Sequence, residues 1–321
     1  MRKFIPTLVL LMLLIAGFVY AKSENFFQKE TPAPAKLSAV EASEVTGITV
    51  THNGRTVELV KDKGNWVMKQ PGAYPVNAYA VEQWLGTLGA LTTSQTVEEQ
   101  PGDTAKYGIS TNDRVIQVHT AQGTTTYAVG SALPTGSGDY VQVNGKQVVA
   151  AAEQDLSGLL LAPLDFMVTT PFTWEDDNTV SLEWESPIFS WVGKRSGSGS
   201  AEAVTDWTLN GTKIEADQAT SLLAQVKGLT TDREVRPVPE LKKPVQRFTM
   251  TLTQTVNGRE ESKVYQGWTT ADDPGIIWAV PPDSSWAYAL KTDDVMNMEQ
   301  AAKKALTSAK AASANDKSTA K

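Results

Sequence analysis

The sequence predicts an α+β protein with an N-terminal transmembrane anchor, followed by two tandem repeats that each contain an antiparallel β-sheet and one packed helix. Three observations support this fold class. An uncharged apolar run occupies residues 4–21. A strand end, a proline-bearing turn and an amphipathic helix follow one another in residues 65–91. A second stretch of the same kind lies at residues 206–229.

The first strand–turn–helix stretch runs from Asn65 to Leu91. Trp66 ends the predicted strand, and two prolines bracket the turn that follows. Apolar residues then recur at helical spacing: Val81, Trp84, Leu85, Leu88 and Leu91. This spacing places them on one face of a helix, and that face is expected to pack on a sheet.

The stretch recurs at Asp206 to Leu229, where Trp207 matches Trp66. The alignment pairs three helical positions of the two copies: Leu222 with Val81, Val226 with Leu85, and Leu229 with Leu88. The same order of strands and turns surrounds both copies over a usual domain length. We interpret this as a duplicated scaffold, and two unrelated α+β segments are the alternative.

Composition excludes several function classes. The chain has 321 residues, a formal net charge of −7 and no cysteine. Nucleic acid is not an expected partner, because phosphate binding needs clustered Lys and Arg. The lack of cysteine excludes disulfides, thiolate nucleophiles and thiolate zinc sites. No cofactor is predicted.

The N-terminus predicts the compartment. Arg2 and Lys3 precede the apolar run at residues 4–21. The run suits an uncleaved single-pass anchor, and a secretion signal cleaved after Ala21 is the alternative. Under both interpretations the basic end stays inside, so the C-terminal bulk lies outside the cytoplasm. We therefore predict a cell-membrane protein that contacts the bilayer through its N-terminal helix.

The composition and the turn residues divide the chain into five segments. Asn-Gly pairs at Asn53, Asn144 and Asn257 predict tight hairpins within the two repeats. The tail is rich in Ala, Lys and Ser and shows no apolar periodicity after Leu306, so it is predicted to be disordered. The predicted segments are an anchor or signal (1–21), a linker (22–43), repeat unit 1 (44–168), repeat unit 2 (169–300) and the tail (301–321).

No recognisable catalytic or metal-binding motif is present. The two histidines, His52 and His119, lack a metal-ligand spacing, and no serine lies in a known nucleophile motif. Acidic pairs support a weaker hypothesis, a hydrolase built from dispersed carboxylates. These pairs lie at residues 98–99, 175–177, 272–273 and 293–294. We assign no catalytic, cofactor-binding or metal-binding residue and predict that the protein is not an enzyme.

Tryptophans concentrate in the second unit. Trp268, Trp278 and Trp286 are predicted to form a partner surface, since exposed aromatic rows on sheets bind glycans or polypeptides. This predicts a glycan- or peptide-binding module as the alternative function. Trp66 and Trp207 are instead interpreted as structural residues of the repeat.

The first unit resembles a bacterial family known as domain of unknown function 4340. The resemblance covers residues 45–165 well and unit 2 more weakly. It rests on three motifs: Gly64 to Met68 followed by Pro71 and the helix at Val76 to Leu91, Lys106-Tyr107-Gly108-Ile109, and Tyr127 to Gly130 followed by Gly138 to Val141. Unit 2 lacks the Tyr-Gly element. The resemblance implies an envelope accessory protein working with an ABC transporter permease, because members are often encoded beside gliding-motility-type ABC transporters. It implies no catalytic residue.

Overall fold

The computed structural model describes residues 12, 14–20, 35–38, 40–110, 112–136, 138–151, 156–196 and 206–319. Residues 14–20 are helical. Among the described residues, no helix is long and apolar enough to span a bilayer. Most of the predicted anchor and linker lies outside the described residues, so the membrane anchor stays a prediction.

The first sheet has nine antiparallel strands, in the order β1-β5-β9-β8-β7-β6-β2-β3-β4. Helix α1, Ala78–Ala90, packs on one of its faces. The strands are β1 (Ala35–Lys36), β2 (Val45–His52), β3 (Arg55–Asp62), β4 (Asn65–Gln70), β5 (Thr92–Glu98), β6 (Val115–Thr120), β7 (Gly123–Ala132), β8 (Asp139–Val143) and β9 (Val148–Ala151).

The second sheet also has nine antiparallel strands, in the order β13-β12-β11-β10-β15-β16-β17-β18-β14. Helices α2 (Ala216–Lys227) and α3 (Thr292–Thr319) pack against it. The strands are β10 (Thr179–Glu185), β11 (Trp191–Ser196), β12 (Asp206–Leu209), β13 (Thr212–Ile214), β14 (Arg236–Pro237), β15 (Val245–Val256), β16 (Arg259–Thr270), β17 (Asp273–Val280) and β18 (Trp286–Lys291).

The two sheets share one topology. The order β4-β3-β2-β6-β7-β8-β9-β5 in the first matches β12-β11-β10-β15-β16-β17-β18-β14 in the second. Trp66 pairs with Lys61 of β3, and Trp207 pairs with Arg195 of β11, so the two tryptophans occupy equivalent positions. The sheets differ at their edges, where β1 extends only the first sheet and β13 extends only the second.

The helices correct the predicted alignment of the repeat. α1 buries Val81, Trp84, Leu85 and Leu88, and α2 buries Ala219, Leu222, Leu223 and Val226 with the same spacing. Leu222 therefore corresponds to Trp84, whereas the sequence alignment paired it with Val81. The turn before α2 is shorter, and a helical pattern slid by three residues still shows a similar apolar periodicity.

The predicted disorder of residues 301–321 is wrong for most of that segment. α3 runs to Thr319 and buries Val295, Met298, Ala302, Leu306 and Ala309 in the second core. Two of the buried positions are alanines, which add little to an apolar pattern but allow a helix to approach its neighbours closely. Their burial follows from packing that local hydrophobicity does not reveal.

A seam joins the two halves. Val235 and Tyr288 of the second half are buried in the hydrophobic core of the first. Trp286 meets Tyr74 edge to face, with ring centroids 5.2 Å apart. Tyr74 also donates its hydroxyl to Glu234 Oε2 of the second half at 3.1 Å. The halves therefore share buried contacts rather than a loose linker.

Candidate functional site

Two of the three motifs that carry the family resemblance, at residues 106–109 and 127–141, meet on the face of the first sheet opposite α1. A second, smaller hydrophobic cluster lies there, formed by Ile109, Val115, Ala128 and Val148, with Tyr107 and Tyr140 packed against it. We name the polar and aromatic residues around it the signature cluster. Its members are Glu98, Lys106, Tyr107, Gly108, Arg114, Gly130, Asp139 and Tyr140.

Gly108 fixes the backbone at the centre of the signature cluster. The single 3-10 turn Ala105–Tyr107 ends at Gly108, whose φ of 66° and ψ of 19° are left-handed. A Cβ at this position would collide with Ser131 Oγ. At Gly130 a Cβ would collide with the carbonyl oxygen of Tyr107. Glycine is required at both positions because the backbone of segment 104–110 packs directly against the backbone of β7, which leaves no room for a Cβ.

An ion pair with a tyrosine holds this segment in place. Tyr107 donates its hydroxyl to Glu98 Oε2 at 2.7 Å, and Lys106 Nζ lies 2.7 Å from the same oxygen. The hydrogen bond from Lys106 lowers the pKa of Glu98. The hydrogen bond to Glu98 raises the pKa of both Lys106 and Tyr107. Each shift moves the group away from neutral pH, which is opposite to what proton transfer near pH 7 requires.

Arg114 and Asp139 close the other side of the signature cluster. Arg114 donates from its guanidinium to the Gly130 carbonyl, and its Nη2 lies 4.0 Å from Asp139 Oδ1. Asp139 is 6% exposed and accepts the Leu156 N–H at 3.1 Å. The sequence did not predict this role for either residue. The flanking Gly138 and Gly130 were the only signal, since they mark backbone packed at close range.

A depression of about 740 Å³, with both polar and apolar walls, lies beside the signature cluster. Glu99, Gln100 and Pro101 line one side, directly after Glu98, and the hairpin at residues 143–147 lines the other. Its walls carry amides, one carboxylate and one ammonium group. These groups suit weak contacts with a polar partner.

The predicted tryptophan surface is not continuous. Trp278 is 2% exposed and lies under the Arg236 guanidinium, 4.3 Å from the ring centroid, so it is not available to a partner. Trp286 belongs to the seam through Tyr74. Trp268 remains half-exposed beside Gln246, its pairing neighbour on β15. Cross-strand packing and the seam thus leave one of the three residues exposed in part.

Trp66 and Trp207 pack against the two cores, but to different extents. Trp207 is 7% exposed within the second core. Trp66 is only half-buried against the first core, and Lys61 Nζ lies 5.5 Å from its ring centroid. Their equivalent positions therefore have unequal surroundings.

The histidines and acidic pairs make local contacts. His119 contacts Thr49 through Nε2 at 3.1 Å and Thr124 through Nδ1 at 2.9 Å. His52 lies at a hairpin tip, 3.7 Å from Asp113. Within the described residues, no three or more acidic or histidine side chains are placed to hold a metal ion.

The acidic pairs mostly face cations. Asp176 accepts the Trp174 indole N–H at 2.9 Å and Lys227 at 3.2 Å. Asp272 and Asp273 pair with Arg236 and Arg233 at 3.4 and 3.1 Å. Asp293 and Asp294 lie in the first turn of α3, where the helix dipole favours negative charge.

A buried carboxyl was missed by the sequence analysis. Glu299 on α3 is 3% exposed, and its Oε1 accepts the Trp184 indole N–H at 3.0 Å. The contact joins α3 to β10 inside the second core. No sequence signal indicated it, because Glu299 has no local partner.

Comparison with known families shows which protein family the chain belongs to. The family model described as domain of unknown function (DUF4340) matches residues 66–245, which is more than half of the chain. The chain belongs to the DUF4340 family. This confirms the resemblance drawn from the sequence motifs. No curated protein and no solved structure matches the chain.

The DUF4340 region extends beyond the residues that carried the resemblance. It begins at Trp66 in β4 and ends at Val245, the first residue of β15. It therefore contains the signature cluster, the seam segment around Glu234, and the second copy of the strand–turn–helix stretch. The family unit crosses both sheets rather than covering one repeat.

Proposed function

We propose that this DUF4340 protein is a membrane-anchored extracytoplasmic accessory protein, without enzymatic activity, that docks onto an ABC transporter permease or another envelope assembly. The apolar N-terminal run supports the anchor, and the family resemblance supports the transporter association. One structural observation supports the proposal that the protein has no enzymatic activity. The signature residues fasten a loop to a sheet and do not converge on a cavity.

That observation is argued from the geometry of the signature cluster. Gly108 and Gly130 allow the backbone of the loop and the backbone of the sheet to pack closely there. The Glu98 carboxylate is engaged by both Tyr107 and Lys106. A family whose diagnostic residues stabilise a scaffold fits a role in presenting surfaces to other proteins.

The test uses the full chain, including residues 1–34, isolated from the membranes of its native host with a C-terminal affinity tag. We expect an ATPase and a permease to be enriched together, in proportions that repeat between preparations. The matched control replaces residues 4–21 with a cleavable secretion signal, and it should lose most of the enrichment. Repeated recovery without any transporter subunit would contradict the docking proposal.

A second candidate function is glycan or peptide binding near Trp268. The half-exposed Trp268 pairs with Gln246, which also lines a shallow groove of about 420 Å³. Pro187 and Ser190 line the same groove, and the adjacent Ile188 is 54% exposed. The partly exposed indole and this groove favour a smaller binding site than the one the sequence predicted.

Tryptophan fluorescence titration with cell-wall fragments tests this second candidate. We expect a saturable shift that Trp268→Ala removes and that Trp286→Phe leaves in place, because Trp286 lies in the seam. An equal shift in Trp268→Ala, or no shift in the wild type, argues against it.

A further inference from the structure

Four asparagine–glycine pairs form tight turns in this chain. They are Asn53-Gly54, Asn144-Gly145, Asn210-Gly211 and Asn257-Gly258. All four share one backbone geometry, with φ between 47° and 52° at the asparagine and between 66° and 77° at the glycine. All four asparagines are also exposed. Backbone geometry and access of water therefore do not distinguish the four turns.

Hydrogen bonds hold two of these asparagines against the neighbouring strand. Asn144 donates its backbone N–H to the Thr126 carbonyl at 2.8 Å, and its Oδ1 accepts the Thr126 N–H at 2.8 Å. Asn210 makes the same two hydrogen bonds with Val192, at 2.9 and 2.7 Å. The side-chain carbonyl of each asparagine thus cannot turn without breaking a hydrogen bond to the sheet.

Asn53 is held by residues around its own turn. Its backbone N–H donates to Asp113 Oδ1 at 2.6 Å, and its Nδ2 lies 3.0 Å from His52 Nε2. This turn reads Asn-Gly-Arg, the same triplet as the turn at Asn257. The two turns therefore share their local sequence and differ in the contacts of the asparagine.

The hairpin of β15 and β16 ends in a turn without such contacts. β10 pairs with β15 as far as Gln254, and β17 pairs with β16 only from Gln266 onward. Within the described residues, no strand lies beside the end of this hairpin, and the Asn257 side chain makes no hydrogen bond or ion pair. Asn257 is therefore the asparagine of the four whose side chain is free to rotate.

We infer that Asn257 is a site of spontaneous modification, at which the folded chain converts the side-chain amide into aspartate and isoaspartate. The backbone nitrogen of Gly258 attacks Cγ of Asn257, so that a bond forms between these two atoms and the Cγ–Nδ2 bond breaks. Nδ2 leaves as ammonia and takes the proton of the Gly258 N–H. Glycine favours the attack because it has no Cβ to obstruct the approach.

Water completes the reaction by opening the five-membered imide ring. Addition of water at Cγ breaks the new bond and leaves aspartate. Addition at the backbone carbonyl carbon of Asn257 breaks its bond to the Gly258 nitrogen, so the main chain then runs through Cγ as isoaspartate. Both products add one negative charge, and isoaspartate also lengthens the backbone of the turn by one methylene.

The contacts of the other turns slow the same reaction. Ring closure requires the asparagine side chain and the following peptide plane to rotate until Cγ meets the glycine nitrogen. At Asn144 and Asn210 this rotation first breaks hydrogen bonds to the sheet, which reduces the rate by about tenfold or more. The tertiary structure thus selects one site among four that the sequence makes equally reactive.

Peptide mapping by mass spectrometry tests the inference on the full chain, purified in mild detergent and kept for several weeks at mildly alkaline pH. Digestion at acidic pH avoids further reaction during handling. In the folded chain Asn257 should lose its amide at least about tenfold faster than Asn144 and Asn210. In concentrated urea the four sites should react at similar rates, because the hydrogen bonds that distinguish them are then absent.

Asn257→Gly provides the matched variant, since a Gly-Gly pair also suits this turn. Isoelectric focusing should show an acidic form that accumulates in the wild type and is lost in Asn257→Gly. Asn144→Gly should still produce this acidic form. Circular dichroism of both variants checks that they remain folded.

Two results would overturn the inference. One is an Asn257 amide that stays intact in the folded chain while it reacts in urea. The other is Asn53 or Asn144 reacting as fast as Asn257 in the folded chain, which would mean that the observed contacts give no protection. The inference does not depend on docking to a transporter or on ligand binding, since it is measured on the purified chain.

Discussion

The indole of Trp286 meets the ring of Tyr74 edge to face, with centroids 5.2 Å apart and planes at 86°. Tyr74 also donates its hydroxyl to Glu234 Oε2 at 3.1 Å, and Arg55 reaches the other oxygen of that carboxylate at 3.3 Å. The loop that contains Tyr74 and the start of β3 are thereby attached to the second half through one aromatic and one acidic side chain.

Trp286→Ala should loosen the seam. Removing the half-buried indole is expected to cost about 1–3 kcal/mol, since it removes an aromatic pair and leaves a gap against the first core. Scanning calorimetry should show a lower midpoint and a transition that separates into two. Tyr79→Ala serves as the control, because Tyr79 is 68% exposed. An unchanged single transition would contradict a shared core.

Gly108→Ala should destabilise the signature cluster. The new Cβ collides with Ser131 Oγ, and the left-handed backbone disfavours alanine, so we expect a loss of about 1–3 kcal/mol. Urea denaturation provides the measurement. Ser131→Gly should recover part of the loss, whereas Gly102→Ala, which meets no neighbour, should change little. An unchanged free energy of unfolding in Gly108→Ala would contradict the close packing of Gly108 against Ser131.

The two equivalent tryptophans should differ in their contribution to stability. Trp207→Ala is expected to cost about 3–5 kcal/mol as the deletion of a buried aromatic. Trp66→Ala should cost about 1–2 kcal/mol less, because its side chain is only half-buried against the first core. Denaturant titration compares the two variants. Equal losses would contradict the difference in burial between the two side chains.

Truncation should distinguish the buried and exposed parts of α3. Removing residues 301–321 deletes Leu306 and two buried alanines, and we expect a loss of about 2–4 kcal/mol. The matched control Lys303→Ala, at an exposed position of the same helix, should be close to neutral. Thermal unfolding followed by circular dichroism measures both. A stable chain ending at residue 300 would restore the interpretation of a dispensable tail.

Alkaline pH should weaken the seam through Tyr288. Burial raises its pKa to about 12, against about 10 in the unfolded chain. The contribution of Tyr288 to the free energy of unfolding is fully present below pH 10. It is lost as pH rises from 10 to 12, because the unfolded state releases the proton in that range while the folded state retains it.

Tyr288→Phe measures this contribution. At about pH 11 the wild type should lose about 1 kcal/mol more than Tyr288→Phe does, each relative to its own value near pH 8. Urea unfolding at both pH values provides the comparison, since other buried tyrosines affect both proteins equally. An identical loss in the two proteins would mean that Tyr288 ionises normally.

The sequence predicted much of the fold and less of the site. Tight Asn-Gly turns, the α1 periodicity and the repeated Trp were interpreted correctly, because each depends on residues close together in the chain. The alignment of the second helix was off by three residues, because a helical pattern looks similar after such a slide. The Trp268, Trp278 and Trp286 surface was predicted from composition, which contains no information on burial.

The sequence by itself determined the duplicated strand–turn–helix stretch and the DUF4340 motifs, since local periodicity and turn chemistry act within a few residues. The tertiary structure decided where those motifs meet. It brought Tyr107 and Gly108 onto β7 and β8, buried Trp278 under Arg236, and packed the alanines of α3 into a core. It also placed β13 beside β12, where no described strand lies beside β4. These outcomes depend on pairing between residues far apart in the chain, which no local pattern specifies.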